Sequence, residues 1–130
     1  MKRAIIGCCL TMLFISCSST IKPEDLYGEW KYVSILDVYN PSESTTAEEI
    51  AANSPSINFD KNNKLVIIWG GKPLSHGKFK MEGKMIRYTE NLPGGKFREF
   101  PFLVSKLTKE ELIFETMDKE AIRVTARRIK

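Results

Sequence analysis

Ser56-Ile57-Asn58-Phe59-Asp60-Lys61-Asn62-Asn63-Lys64-Leu65-Val66-Ile67-Ile68-Trp69 decides how the rest of this 130-residue chain is read. Two runs rich in β-branched and aromatic residues flank Asp60-Lys61-Asn62-Asn63, a polar cluster that tolerates tight backbone geometry. The stretch therefore predicts a β-hairpin with strands over Ser56 to Asp60 and Lys64 to Trp69. Alternation puts Ile57 and Phe59 on one face.

Outward from this hairpin the same texture repeats. Further strands are predicted at Glu29 to Val38, Ser75 to Met81, Lys84 to Glu90, Glu99 to Leu107, Leu112 to Met117 and Glu120 to Ile129, which makes eight in all. Glu82-Gly83, Thr108-Lys109-Glu110-Glu111 and Met117-Asp118-Lys119 read as short hairpin turns. Only Thr46 to Asn53 looks helical, with Thr45 or Thr46 as N-cap, acids in the first turn and Pro55 beyond its end.

Eight sequential antiparallel strands lose their exposed edges by closing on themselves. The expected fold is all-β: an eight-stranded antiparallel up-and-down barrel with one short helix in the first long loop. Its inward face should carry Phe79 and Met81, Ile86 and Tyr88, Phe100, Phe102 and Val104, Leu112 and Phe114, and Ile122, Val124 and Ala126. A barrel of this size is either filled by such side chains or holds one small ligand.

Upstream, Lys2 and Arg3 precede an uncharged, mostly apolar run from Ala4 to Ser16, and polar text begins at Cys17. That is the form of a secretory signal, and the run is shorter than the roughly 20 residues of a membrane-spanning helix. Phe14-Ile15-Ser16-Cys17 resembles the lipobox of bacterial lipoproteins, with Phe14 where that motif usually has Leu. The resemblance implies cleavage before Cys17 and acylation of its thiol by palmitate-type chains. It also implies anchoring of the exported protein to the cell envelope, with Ser18 pointing to the outer membrane. The expected organisation is a signal peptide over 1–16, a tether over 17–26 and a barrel domain over 27–130.

Composition narrows the function. The chain has 20 Lys and Arg, 16 Asp and Glu, one His and three Cys. Loss of residues 1–16 removes two bases and two Cys, leaving 18 bases against 16 acids and a single thiol at Cys17. No disulfide can then staple the domain, and no concentrated basic surface suggests a nucleic-acid partner.

Leu26-Tyr27-Gly28-Glu29-Trp30 resembles the Gly-x-Trp opening of lipocalins, and the domain as a whole resembles short lipocalin-like domains of bacterial lipoproteins. The likeness extends through the Ile57 to Asn63 strand and turn, the Lys78 to Ile86 segment, the Leu107 to Leu112 hairpin and a basic last strand. It implies an Arg of the last strand stacked on the Trp of the first. Arg128 shares the face of Ile122, Val124 and Ala126, so Arg128 and Trp30 form the expected barrel-closing pair.

Up-and-down order puts the connections 39–55, 70–74 and 91–98 at one end and the tight turns 61–63, 82–83 and 108–111 at the other. Trp30 and Arg128 would plug the tight-turn end, leaving the long-loop end as the mouth. Tyr39, Ile50, Trp69, Leu92 and Phe97 are the candidates to line the ligand entrance, or else anchor loops on the rim. The tether joins the plugged end, so the mouth should face away from the membrane.

Catalytic patterns are missing from the text. His76 sits between Ser75 and Gly77, and adjacent strand residues point to opposite faces. Glu48-Glu49 and Glu110-Glu111 read as helix-start and turn residues. Asp60 and Asn62 lack the Gly and terminal Glu of a calcium loop, and Gly70-Gly71-Lys72 and Gly94-Gly95-Lys96 lack the setting of a phosphate loop. No catalytic residue, metal or cofactor is expected. The two functions carried forward are a membrane-anchored binder of a small hydrophobic or amphipathic ligand, and an envelope protein-interaction or inhibitor module with a solid barrel core.

Overall fold

A computed structural model describes residues 20–117 and 121–129. Cys17 and the expected signal peptide lie outside the described residues, as do Asp118, Lys119 and Glu120. The strands are β1 (Gly28–Asp37), β2 (Ser56–Phe59), β3 (Lys64–Trp69), β4 (Lys72–Glu82), β5 (Met85–Leu92), β6 (Lys96–Leu107), β7 (Glu111–Thr116) and β8 (Ile122–Arg128). Each pairs antiparallel with its neighbour in sequence, and β1 pairs with β8, so the sheet closes into an eight-stranded up-and-down barrel.

The deciding hairpin forms as its residues dictate. The Asp60 carboxylate accepts from the amides of Asn62 at 2.8 Å and Lys64 at 3.0 Å, and Asn63 takes a left-handed φ of 62°. Phe59 then lies opposite Leu65, and Ile57 opposite Ile67. Asp60 thus shapes a turn.

Alternation sorts the side chains. Ile57, Phe59, Phe79, Ile86, Tyr88, Phe102, Val104, Leu112, Phe114, Val124 and Ala126 are buried, and Met81, Phe100 and Ile122 pack against them half-buried. In β1 the register against β8 shifts between Tyr32 and Ser34, which leaves Val33 as the extra, exposed residue of a bulge. Trp30 and Tyr32 face inward before it and Ile35, opposite buried Val124, faces inward after it.

The base is closed by the chain that enters it. A 3₁₀ turn at Pro23–Asp25 leads into Leu26, which is fully buried, and the Ile21 amide donates to the Gly83 carbonyl at 3.0 Å. Residues 21 to 26, read from sequence as part of a tether, are docked here.

At the mouth the connections are shorter than expected, which corrects the picture of three long loops. Gly70 and Gly71 both hold left-handed φ values, 65° and 81°, the conformation of a two-residue hairpin turn. Lys72, Pro73 and Leu74 therefore belong to β4, with Pro73 at a register shift. Pro93-Gly94-Gly95 closes the next hairpin in the same way, so residues 91–92 extend β5 and 96–98 extend β6. Only the 38–55 connection is long, and it contains α1 (Ala47–Asn53). Thr46 caps the helix reciprocally with Glu49: the Glu49 amide donates to Thr46 Oγ1 at 3.1 Å and the Thr46 amide to Glu49 Oε1 at 3.0 Å. The Gly70 amide donates to the Asn53 carbonyl and the Asp37 amide to Ser44 Oγ, fastening the segment to the β1–β3 side of the rim.

Candidate binding site at the barrel mouth

Three adjacent strands carry polar side chains into the barrel. Tyr88 faces inward on β5, so Glu90 two residues on does so too; Gly77 and Arg98 are its cross-strand partners. Ser75 enters from β4 opposite Ile67. Glu90 is 8% exposed and is the one charged side chain buried among the described residues.

These groups form one network. Arg98 donates to Glu90 Oε1 from Nε at 3.2 Å and from Nη2 at 2.9 Å, and Ser75 Oγ donates to Glu90 Oε2 at 2.7 Å. Ser75 Oγ and the Tyr88 hydroxyl are 2.6 Å apart. The Arg98 guanidinium lies 5.3 Å from the Phe100 ring centre, and its side chain remains 62% exposed. A buried carboxylate is costly unless it is paired and hydrogen-bonded, and here Arg98 and Ser75 supply both oxygens with partners.

Beneath the network the barrel is filled by rings. Tyr88 meets Phe100 and Phe102 at 5.4 and 5.9 Å between centroids, and Phe102 meets Phe114 at 5.1 Å. Tyr32, 6% exposed, sits edge-on to Phe114 at 6.3 Å. Its hydroxyl has no hydrogen-bond partner among the described residues. Burial, reinforced by the nearby Tyr88, pushes the Tyr32 phenol well above the ordinary tyrosine range. Burial likewise lifts Tyr88, to about 12, with the Glu90 charge adding to the rise and the Ser75 hydrogen bond opposing it.

Beside the network, β6 runs past the end of β7, whose first partner is Phe102 opposite Thr116. A depression of about 290 Å³ opens there, lined by Arg98, Glu99, Phe100, Pro101, Thr116 and Met117.

The residues picked from sequence are dispersed. Trp69 and Leu92 are half-buried at inward positions at the ends of β3 and β5, whereas Phe97, out of phase with Arg98, is 68% exposed, as is Tyr39 beyond β1. Ile50 is the buried residue of α1. At the base, Arg128 lies opposite Trp30 with its guanidinium 4.1 Å from the ring centre. It also donates to the carbonyls of Lys109, Tyr27 and Asp25, and Trp30 Nε1 donates to the Leu26 carbonyl at 2.9 Å.

Sequence reasoning missed Ser75, Glu90, Arg98 and Tyr32 as a set. The signal was there for two of them: Ser75 shares the phase of Phe79, and Glu90 that of Tyr88. Arg98 was hidden in an expected loop. His76 is exposed on the outer face, with its Nδ1 3.4 Å from Asn91 Nδ2. Among the described residues no three His, Cys, Asp or Glu side chains are placed to hold a metal, and no helix is long and apolar enough to cross a membrane. Neither a scan of protein-family models nor a search of curated proteins returns a match.

Proposed function

We propose that this protein is a non-catalytic, lipid-anchored binding protein of the bacterial cell envelope, of lipocalin-like type, which takes a short amphipathic ligand into the mouth of its barrel. One observation carries the reading: a hydrogen-bonded polar network and a buried Tyr32 hydroxyl without a partner among the described residues stand inside a barrel otherwise lined by apolar side chains. Buried polar groups left incomplete are where a ligand's own polar group gains most. Ile35, Ile67, Phe100 and Ile122, only half-buried around them, supply apolar contact. The rings that fill the lower barrel argue for a short ligand rather than a long chain.

Anchoring follows the lipobox resemblance at Cys17. The described chain starts beside the base, which supports a mouth turned away from the membrane. Native mass spectrometry of protein released from its own membranes tests the binding reading: a small molecule should travel with the wild-type chain, and its absence would count against it. Radioactive palmitate should label the wild type but not Cys17→Ser. Cross-linking from lipid headgroups should favour the turns at 61–63 and 83–84 over the 93–95 turn.

A second reading, docking onto an envelope protein, is favoured by a different observation. Tyr39, Leu74, Phe97 and Met117 are large, 49 to 68% exposed, and all at the mouth end. Charged replacements at Leu74 and Phe97 separate the two: they would abolish co-purification of a protein partner and leave small-molecule binding intact.

A further inference from the structure

We infer that the outer flank at the base-side ends of β3, β4 and β5 docks on anionic lipid headgroups, so that the anchored barrel lies with this flank toward a charged membrane. The inference rests on the anchoring reading above and deepens it by naming the surface that the domain meets. Residues 60–65 and 78–87 come together at this corner and hold six bases against two acids. Lys61, Lys64, Lys78, Lys80 and Lys84 are exposed, and none of them pairs with an acid among the described residues. Both nearby acids are engaged: Glu82 binds Arg87 at 3.0 Å, and the Asp60 carboxylate accepts from the amides of its own turn. Strand register sharpens the imbalance, because Lys64 lies directly opposite Lys78, and Lys80 opposite Arg87. Like charges so placed repel across a sheet, and an anionic partner outside the fold would offset that repulsion.

Two observations choose a lipid surface over a dissolved polyanion. The first is the route of the chain. The Ile21 amide donates to the Gly83 carbonyl, next to Lys84, so the four residue steps back to Cys17 span at most about 14 Å. An acyl group on Cys17 would hold the basic corner beside the headgroups, where each Lys raises affinity for an anionic surface roughly fivefold. The second lies at the opposite end. The 38–55 connection carries Glu43, Glu48 and Glu49 and no base, so an anionic surface repels the mouth while it attracts the flank. The flank also has relief. Lys78 lines two depressions of about 350 and 320 Å³, one shared with Lys64 and Asn91, the other with Asn62, Lys80 and Arg87. Ammonium and amide donors set together suit the oxygens of a phosphodiester.

The test places the acylated chain, purified from its own membranes, in nanodiscs of phosphatidylcholine alone or mixed equally with phosphatidylglycerol. A gadolinium-chelating headgroup serves as the relaxation probe for amide NMR. Relaxation at Asn62 and Phe79 should rise about threefold in the mixed discs while Glu48 on α1 stays unchanged, and about 0.5 M KCl should remove the rise. Lys64→Glu combined with Lys80→Glu should abolish it. Lys72→Glu combined with Lys96→Glu, the same change of net charge made at the mouth, should not. All four lysines are exposed, so both variants keep the core. Equal relaxation in the two disc compositions, or equal relaxation in the two variants, overturns the docking surface and leaves the anchoring reading in place. An intact mass without acyl chains on Cys17 sinks the anchoring reading, and the inference with it.

Discussion

The two ends of the barrel use the same pieces differently. At the base, an Arg guanidinium covers Trp30 at 4.1 Å and donates to three carbonyls, and the indole N–H has its own acceptor. Leu26, Trp30, Leu65, Leu112 and Ala126 have no exposed surface there. At the mouth, another Arg covers Phe100 at 5.3 Å, but it is largely solvated and its acceptor is a buried acid, and deeper in the barrel the Tyr32 hydroxyl has no partner among the described residues. One end has its polar groups satisfied and its apolar surface buried; the other has both left partly open. Stability is therefore concentrated at the base, and the mouth is free to serve recognition.

Mutation can break this contrast, and the largest effect belongs to the base. Trp30→Ala removes a fully buried aromatic and the platform of Arg128, and should destabilise the domain by about 4 kcal/mol in chemical denaturation. Gly77→Ala comes next. A Cβ there would stand 1.9 Å from the Thr89 carbonyl oxygen, a backbone atom of the paired strand. The β4–β5 ladder must then shift, at a cost of about 3 kcal/mol. Since Gly77 lies opposite Glu90, ligand binding should be lost along with stability.

The two arginines sharpen the comparison. Arg128→Met should cost about 2 kcal/mol, from the lost cation–π contact and the carbonyls left without their donor. Arg98→Ala should cost about 1 kcal/mol, and more than Glu90→Gln, because it strands a buried acid whereas the reverse change leaves a solvated guanidinium. Equal melting temperatures for Arg128→Met and Arg98→Ala would erase the distinction between the ends.

Alkaline titration probes the interior between them. Tyr32 and Tyr88 have phenols raised above the unfolded value of 10.0, so between pH 10 and 12 the unfolded chain loses protons that the folded chain keeps. Stability must then fall as pH rises, by up to about 1.4 kcal/mol per pH unit for each phenol. Below pH 10 neither phenol contributes to the slope. Tyr32→Phe should flatten the decline, measured as denaturation midpoints at pH 9, 10 and 11. At pH 7 the same variant should be neutral or slightly stabilising, within about 1 kcal/mol, since a buried hydroxyl without a partner is removed. A marked loss at pH 7 would mean that the Tyr32 hydroxyl is satisfied in solution.

Much of the barrel was legible because a period of two needs only local text. The inward set from Ile57 to Ala126 followed from alternation and short polar turns, and the pairing of Arg128 with Trp30 followed from the lipocalin resemblance, with the phase of the last strand choosing Arg128. The mouth was harder. Gly70-Gly71 and Pro93-Gly94-Gly95 read as parts of long loops, but left-handed glycines made them tight turns and drew Leu92 and Arg98 into strands. Arg98 then came to face inward beside Glu90, while Phe97, chosen as a lining residue, was turned outward by the same alternation.

The sequence by itself determined that the domain would be a meander of hairpins with one apolar face, since hydrophobic alternation and turn residues act over a few positions. Only the tertiary structure decided which polar side chains share the interior. Ser75, Tyr88, Glu90 and Arg98 come from three strands whose relative positions are set by register, and the Tyr32 hydroxyl finds no partner among the described residues because of where β1 passes after closure. Hydrogen-bond satisfaction is a property of distances across the barrel, which the linear text does not carry.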